Sequence, residues 1–173
     1  ADFEARRTDI LVGTQMITKG FDFAGVSLVG ILNADNLLNN PDFRAAERAF
    51  QLMMQVAGRA GRRDDGGEVV IQTSEPGHPV IRQVAAGDFE GMARAQLAER
   101  KAFFYPPYAR LTSLTLRHRD PSVLRNGVMD LAARLRTRFG RRLLGPMTPP
   151  VDRIRGEYLV GLLLKIESGA SSA

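Results

Sequence analysis

Apolar residues in the first third of the chain fall in short unbroken runs. Asp9-Ile10-Leu11-Val12-Gly13-Thr14 stops at a glycine, and Val26 to Leu32 stops at Asn33-Ala34-Asp35. Runs of this length without alternation predict strands buried in a parallel sheet. Gln15 to Lys19 reads as a short helix or loop before a Gly20-Phe21-Asp22-Phe23 turn. The period then changes to that of a helix, with Phe43, Ala46, Ala49, Phe50, Met53 and Ala57 on one face. Asn40 stands where an N-cap belongs, Pro41 at the first helical position and Gly58 at the end. Glu68 to Thr73 returns to a strand, so residues 1–77 predict β-loop-β-α-β, the back half of a doubly wound sheet. This is the arrangement expected of a partial RecA-like lobe.

From His78 to Lys101 the pattern is helical with a break at Gly87-Asp88. It closes before Tyr105-Pro106-Pro107-Tyr108, because consecutive prolines cannot continue a helix. Residues 78–108 therefore predict a helical connector with a domain junction at its end. Beyond it Ala109 to His118 alternates as a strand, and Pro121 to Phe139 is an amphipathic helix with Leu124, Val128, Leu131, Leu135 and Phe139 inward. A strand starts within Arg141 to Leu144, and Arg153-Ile154-Arg155 with Tyr158 to Ile166 predicts a closing hairpin. Residues 109–173 are thus four elements of a split βαβ unit, an α/β domain that stops at a Ser/Gly/Ala tail where a second helix is expected. The chain opens on Ala1 and a charged stretch, and it reads as a fragment truncated at both ends.

Composition narrows the function classes. No uncharged apolar stretch approaches the roughly 18 residues of a membrane span, and no signal-peptide core opens the chain, so a cytoplasmic protein without membrane contact is expected. There is no cysteine and there are two scattered histidines, which argues against a metal site in this segment. The balance of 24 Lys+Arg against 19 Asp+Glu, net +5, favours a polyanionic partner. Nearly all the cations are arginine, a bias that a high-GC genome produces equally well.

Two motifs carry chemistry. In Gln55-Val56-Ala57-Gly58-Arg59-Ala60-Gly61-Arg62 the spacing sets Gln55, Arg59 and Arg62 near one helix terminus. The planar, permanently charged guanidinium suits a transferring phosphoryl group. A Gly-Arg repeat is also compatible with a solvated loop or a flexible nucleic-acid-binding segment. Upstream, Gly13-Thr14-Gln15-Met16-Ile17-Thr18-Lys19-Gly20-Phe21-Asp22 follows a predicted strand. Thr14, Gln15 and backbone amides there can hold strand phosphates, while Asp22 can take a ribose hydroxyl, orient an arginine or simply cap a turn.

Together these resemble the fifth and the arginine-bearing motifs of superfamily 2 helicases, in the order those proteins use. With Asn33-Ala34-Asp35, Leu38, Asn40-Pro41-Asp42-Phe43-Arg44-Ala45-Ala46-Glu47-Arg48, Phe50-Gln51-Leu52 and the Tyr-Pro-Pro-Tyr junction, nearly the whole chain resembles the PriA family of replication-restart helicases (primosomal protein N′). The resemblance implies a 3′-to-5′ DNA helicase, using ATP and magnesium, that recognises stalled or abandoned forks and helps reload the replicative helicase. Its partners would be forked or single-stranded DNA, single-strand-binding protein, and primosome and helicase-loading proteins. It implies Arg59 and Arg62 as catalytic arginines, Gln55, Gly20 and Asp22 on the nucleotide side, with Gly20 and Asp22 coupling nucleotide to strand. Thr14, Gln15 and Lys19 fall to the DNA. Asp35, Arg44, Glu47 and Arg48 match the family's run, and an intradomain ion-pair network explains them equally well. The family's zinc-binding cysteines precede this segment. In the C-terminal domain Arg110, Arg117, Arg153, Arg155 and Lys165 are candidate DNA contacts, with Tyr158 as a stacking partner. Arg134, Arg136, Arg138, Arg141 and Arg142 read as a solvated helix end where the dipole favours cations.

The first motor lobe is missing, with no G-x-x-x-x-G-K-[ST] loop and no acidic magnesium box, so the fragment alone is expected not to hydrolyse ATP. A non-catalytic DNA- or partner-binding module is the competing class. A superfamily 2 helicase acting on RNA is a third reading, although it predicts neither the proline-tyrosine junction nor the trailing domain.

Overall fold

The computed structural model describes residues 3, 7–13, 26–60 and 67–169. Its elements are β1 (Leu28–Ile31), α1 (Asp35–Leu38), α2 (Ala45–Ala57), β2 (Glu68–Ile71), α3 (Pro79–Ala86), α4 (Phe89–Ala102), β3 (Ala109–His118), α5 (Pro121–Phe139), a 3-10 turn (Gly140–Arg142), β4 (Leu143–Met147), β5 (Arg153–Ile154) and β6 (Glu157–Glu167). They form two compact units, Ala1–Ala98 and Glu99–Ala173, with the boundary inside α4. The fold class is α/β, with a parallel sheet in the first unit and an antiparallel sheet in the second.

In the first unit β1 and β2 pair in parallel, Leu28 opposite Glu68 and Ile31 opposite Ile71. Ile31, Val69 and Ile71 face a core of Ala34, Ala49, Phe50, Met53, Val80, Ile81, Val84 and Met92. The opposite face is open: Leu28 and Val70 are about half exposed. That openness explains the failure of one expectation. Ile10, Leu11 and Val12 form no strand, and Ile10 and Val12 are 77% and 80% exposed. A parallel strand is held by a neighbouring ladder and by cover on both faces. Among the described residues this run gains neither.

The long helix also differs from expectation, since it begins at Ala45 rather than at Pro41. Asn40-Pro41 opens a turn instead, in which the Ala45 amide donates to the Asp42 carbonyl at 2.8 Å. The short helix α1 was not anticipated. Gly58 caps α2 as expected, although its φ of −65° keeps it right-handed. Gly87, by contrast, takes φ +62° between α3 and α4 and receives the end of α3 in the left-handed conformation that glycine adopts without strain.

The second unit is a sheet in the order β3-β6-β4, with β5 extending the β4 side. Among the described residues β3 pairs with β6 alone, over its full ten residues. α5 covers one face through Leu124, Val128 and Ala132, packed on Leu143, Leu162 and Leu164, and Leu131, Leu135 and Phe139 line the same core. Asp120 starts this helix by accepting the amides of Ser122 and Val123, and Pro121 occupies the first turn. Arg141 and Arg142 lie in the 3-10 turn, so β4 begins two residues later than anticipated. α4 stops at Ala102, ahead of the prolines, and Phe104 takes φ +53°. The segment that follows is tied to β6: the Ser168 hydroxyl donates to the Pro107 carbonyl at 2.6 Å and the Ser168 amide to the Tyr108 carbonyl at 3.1 Å.

Candidate functional site

The arginine motif begins on α2. Phe50 and Met53 hold that helix on the core; Gln55 lies in its last turn, and Arg59 follows in the turn just beyond the Gly58 cap. Gln55 is exposed and Arg59 half-buried. The helix tightens into successive turns rather than reversing: the Gly58 amide donates to the Met54 carbonyl, Arg59 to Val56 and Ala60 to Ala57, at 2.9, 3.0 and 3.0 Å. A guanidinium here also answers the partial negative charge of the helix end. Arg62, Thr14, Gln15, Lys19, Gly20 and Asp22 lie outside the described residues. Of the named set, the described part is therefore Gln55 and Arg59.

A second polar cluster occupies the carboxyl ends of β1 and β2. Asp35 accepts the Thr73 hydroxyl at 2.5 Å, the Ser74 amide at 2.9 Å and the Ser74 hydroxyl at 2.7 Å. The Asn33 amide reaches the Gln72 side chain, and the Ala34 amide the Gln72 carbonyl. Nearby, Asp42 accepts the Arg44 amide at 3.0 Å and pairs with Arg48 at 2.6 Å and Arg44 at 3.7 Å. Arg44 also lies over the Phe43 ring, and Gln51 donates to Glu47. Arg44 and Arg48 thus have intradomain ionic partners, as the network reading required. Asp35 binds hydroxyls and an amide instead. Its partners Thr73 and Ser74 went unnoticed in the sequence, although two adjacent hydroxyls directly after a strand were the available signal.

These hydrogen bonds favour the ionised carboxylates. The Thr73 hydroxyl holds Asp35 below its ordinary range, the Arg44 amide does so for Asp42, and the Ser122 hydroxyl for Asp120. A folded-state pKa below the unfolded one gives stability that is complete above the unfolded value and lost as pH falls through the folded one. The contribution of these three carboxylates to the urea midpoint is accordingly expected to hold steady from pH 7 to about 5 and to fall below about 4. Asp120→Asn keeps an acceptor and removes one titrating group, so its acid decline is expected to be shallower. Identical slopes for both proteins would refute the assignment of Asp120.

In the second unit several candidate DNA contacts already have partners. Arg117 pairs with Glu157 at 3.5 Å, and Arg153 covers the Tyr158 ring at 4.8 Å. Lys165 donates to the Phe103 carbonyl at 2.8 Å and sits 3.7 Å from the Tyr105 ring centre, where burial lowers its pKa. Arg110 is exposed on β3, and Arg155 is exposed in the turn before Gly156 with φ +51°. Arg134 pairs with Asp130 one turn away, Arg142 with Glu167, and Arg136 donates to the Gly145 carbonyl.

Gln55 and Arg59 suit phosphate oxygens, one as a neutral donor and the other as a cation. Among the described residues no cluster of three or more His, Asp or Glu could hold a metal ion. Among them, too, no helix is long and apolar enough to cross a membrane.

Two family models match the chain: the helicase conserved C-terminal domain over residues 1–64 and the primosomal protein N C-terminal domain over residues 101–173. The chain is 44% identical to the replication restart protein PriA of Treponema pallidum over 96% of its own length. It is 41% identical to that of Bacillus subtilis over 94% and 39% identical to that of Synechocystis over 96%. The chain belongs to the PriA family. It spans 26% of the Treponema protein and 20% of each of the other two. The PriA relatives therefore extend well beyond the part described by these two units.

Proposed function

We propose that this chain is the distal part of the second motor lobe, with the C-terminal domain, of an ATP-dependent 3′-to-5′ DNA helicase that recognises stalled or abandoned forks and promotes primosome assembly. The observation that supports this most is the end of α2, where Gln55 in the last turn and Arg59 just beyond the Gly58 cap open the arginine motif. Bound ATP supplies the phosphoryl group. Arg59 and Arg62 neutralise the charge that develops on it, and Gln55 orients it by hydrogen bonding. Gly20 and Asp22 couple the nucleotide side to Thr14, Gln15 and Lys19, which hold the strand. Single-strand-binding protein, primosome components and helicase loaders are the proposed protein partners, in the cytoplasm. Magnesium would be held outside these residues, and zinc by cysteines this chain lacks.

The test uses the longer protein that carries this chain. Its ATP hydrolysis is expected to rise on adding forked DNA, with unwinding of that fork, and to stay at the basal rate with RNA. Stimulation by RNA in place of DNA would overturn the reading. The 173-residue chain, which has no phosphate-binding loop in its sequence, is expected to show no ATP hydrolysis above background. Its net charge of +5 is expected to give it measurable affinity for forked DNA. Each phosphate contact lowers log affinity by about 0.9 per decade of salt on duplex DNA, so a salt-independent affinity would remove the phosphate contacts from the proposal.

A further inference from the structure

A groove of about 320 Å³ opens in the second unit between the first half of α5, the end of β4 and the start of β6. That volume is at the small end for a ligand site, enough for a single group rather than a large molecule. Its apolar walls are Leu124, Val128 and Met129 of α5, Pro146 and Met147 of β4, and Val160 of β6. Met129 and Met147 are 55% and 44% exposed, and their unbranched, polarizable side chains adapt to what lies against them. Arg125, Thr148 and Asp152 add donors and an acceptor to the lining. Apolar walls with polar groups beside them suit a flat heterocycle, whose faces leave water readily and whose edge keeps its hydrogen bonds.

The end of the sheet beside the groove is cationic. Strand register sets His118, Tyr158 and Arg153 in one row across β3, β6 and β5. Tyr158 lines the groove, and Arg153 covers its ring at 4.8 Å. Stacking on a ring holds a guanidinium in place while its N–H groups stay available to an anion. Arg125 and Arg153 are both exposed. The acids nearby are largely engaged: Asp120 starts α5, Asp130 pairs with Arg134 and Glu157 with Arg117. An apolar slot beside two cations matches the two halves of a nucleotide, a base to be desolvated and a phosphate to be neutralised. An apolar side chain from a protein partner would use the walls and leave the cations without a role.

We propose that this groove receives one unpaired base of single-stranded DNA, its faces against Met129, Met147 and Val160 and the adjoining phosphates on Arg125 and Arg153. The inference rests on the DNA reading above and adds to it a point at which the second unit grips a strand. Every base has an apolar face, so the site is tolerant of sequence, and a duplex, whose bases are stacked on one another, does not enter it.

Six methionines give the chain six methyl signals, of which Met129 and Met147 report on the groove and Met53 and Met92 on the core of the first unit. The 173-residue chain, labelled at these methyls, is titrated with oligo(dA) of about ten nucleotides, with an abasic strand of the same length and with dAMP, while fluorescence anisotropy follows binding. Oligo(dA) is expected to move the Met129 and Met147 signals and to leave Met53 and Met92 in place. The abasic strand and dAMP are expected to move the groove signals far less. Thr148→Trp fills the groove from an exposed position and is expected to weaken oligo(dA) binding roughly tenfold, with an unchanged circular dichroism spectrum. Arg125→Ala is expected to lower the slope of log affinity against log salt by about 0.7, the share of one phosphate on a single strand. Oligo(dA) that binds without moving Met129 and Met147 would overturn the groove assignment and leave the DNA reading standing. Equal movement with the abasic strand or with dAMP, or undiminished affinity in Thr148→Trp, would overturn it as well. A chain that binds no strand at all would remove the DNA reading and the groove together.

Discussion

Replacing Arg62 with alanine in the longer protein is expected to lower ATP turnover by roughly three orders of magnitude or more, the usual effect of removing an arginine that meets the transferring phosphoryl group. Nucleotide affinity should change far less, because the charge it answers is greatest in the transition state. Arg62→Lys is expected to recover little, since an ammonium cannot hold two oxygens in a planar fork. Steady-state ATPase rates with saturating forked DNA measure this, with circular dichroism to confirm folding. A loss of less than tenfold would exclude Arg62 as the phosphoryl-facing group. Arg59 serves as the comparison, because its position at the end of α2 is described and its half-burial predicts a structural contribution as well.

The largest stability effect is expected at Leu162. It is 1% exposed at the middle of β6, opposite Leu114 in the register and beneath Val128 and Leu124 of α5. Leu162→Ala removes three buried carbons and leaves a cavity between sheet and helix, at a cost of about 2–5 kcal/mol. Whole domains are stable by only about 5–15 kcal/mol, so the second unit should be substantially weakened. The core of the first unit contains no residue of the second unit's core. Exchange protection at Met53 and Val84 should therefore persist while protection around Val128 and Leu164 falls. A urea-derived loss below about 1 kcal/mol would mean that α5 settles onto the smaller side chain, and the prediction would fail.

The two halves of the chain were not equally readable. In the second unit β3, β4 and β6 pack against α5; the alternation of β3 announced a strand, and the helical period placed Leu124, Val128, Leu131, Leu135 and Phe139 on the core in advance. The first unit reads as a sheet covered on both faces, whereas among the described residues only one face of β1 and β2 is covered. Ile10 to Val12 has the composition of a buried strand and, among the described residues, lacks the neighbour that would make it one. Composition reports what a segment can bury, and the surrounding elements decide whether it does. The candidate site divides similarly. Gln55 and Arg59 were named from the motif alone, and they fall at a helix end and in the turn beyond it. The Asp35 cluster joins residues 38 and 39 apart in sequence, which no local pattern announces. Arg117, Arg153 and Lys165 were chosen for their charge, but their partners Glu157, Tyr158 and Phe103 emerge only once β6 has been set beside its neighbours.

The one-sided pairing of β3 has a practical consequence. Among the described residues no strand lies on the other edge of β3, and such an edge is a row of backbone donors and acceptors at the spacing another extended peptide needs; a second copy of the chain carries the same row. Arg110 and Arg117 stand near its two ends, and the whole molecule is cationic. Mutual repulsion between cationic copies opposes the approach of two such edges, and it reaches only about 10 Å at 0.1 M salt. Concentrated samples of this chain should therefore keep best in dilute buffer, and salt added to improve solubility should bring the edges together.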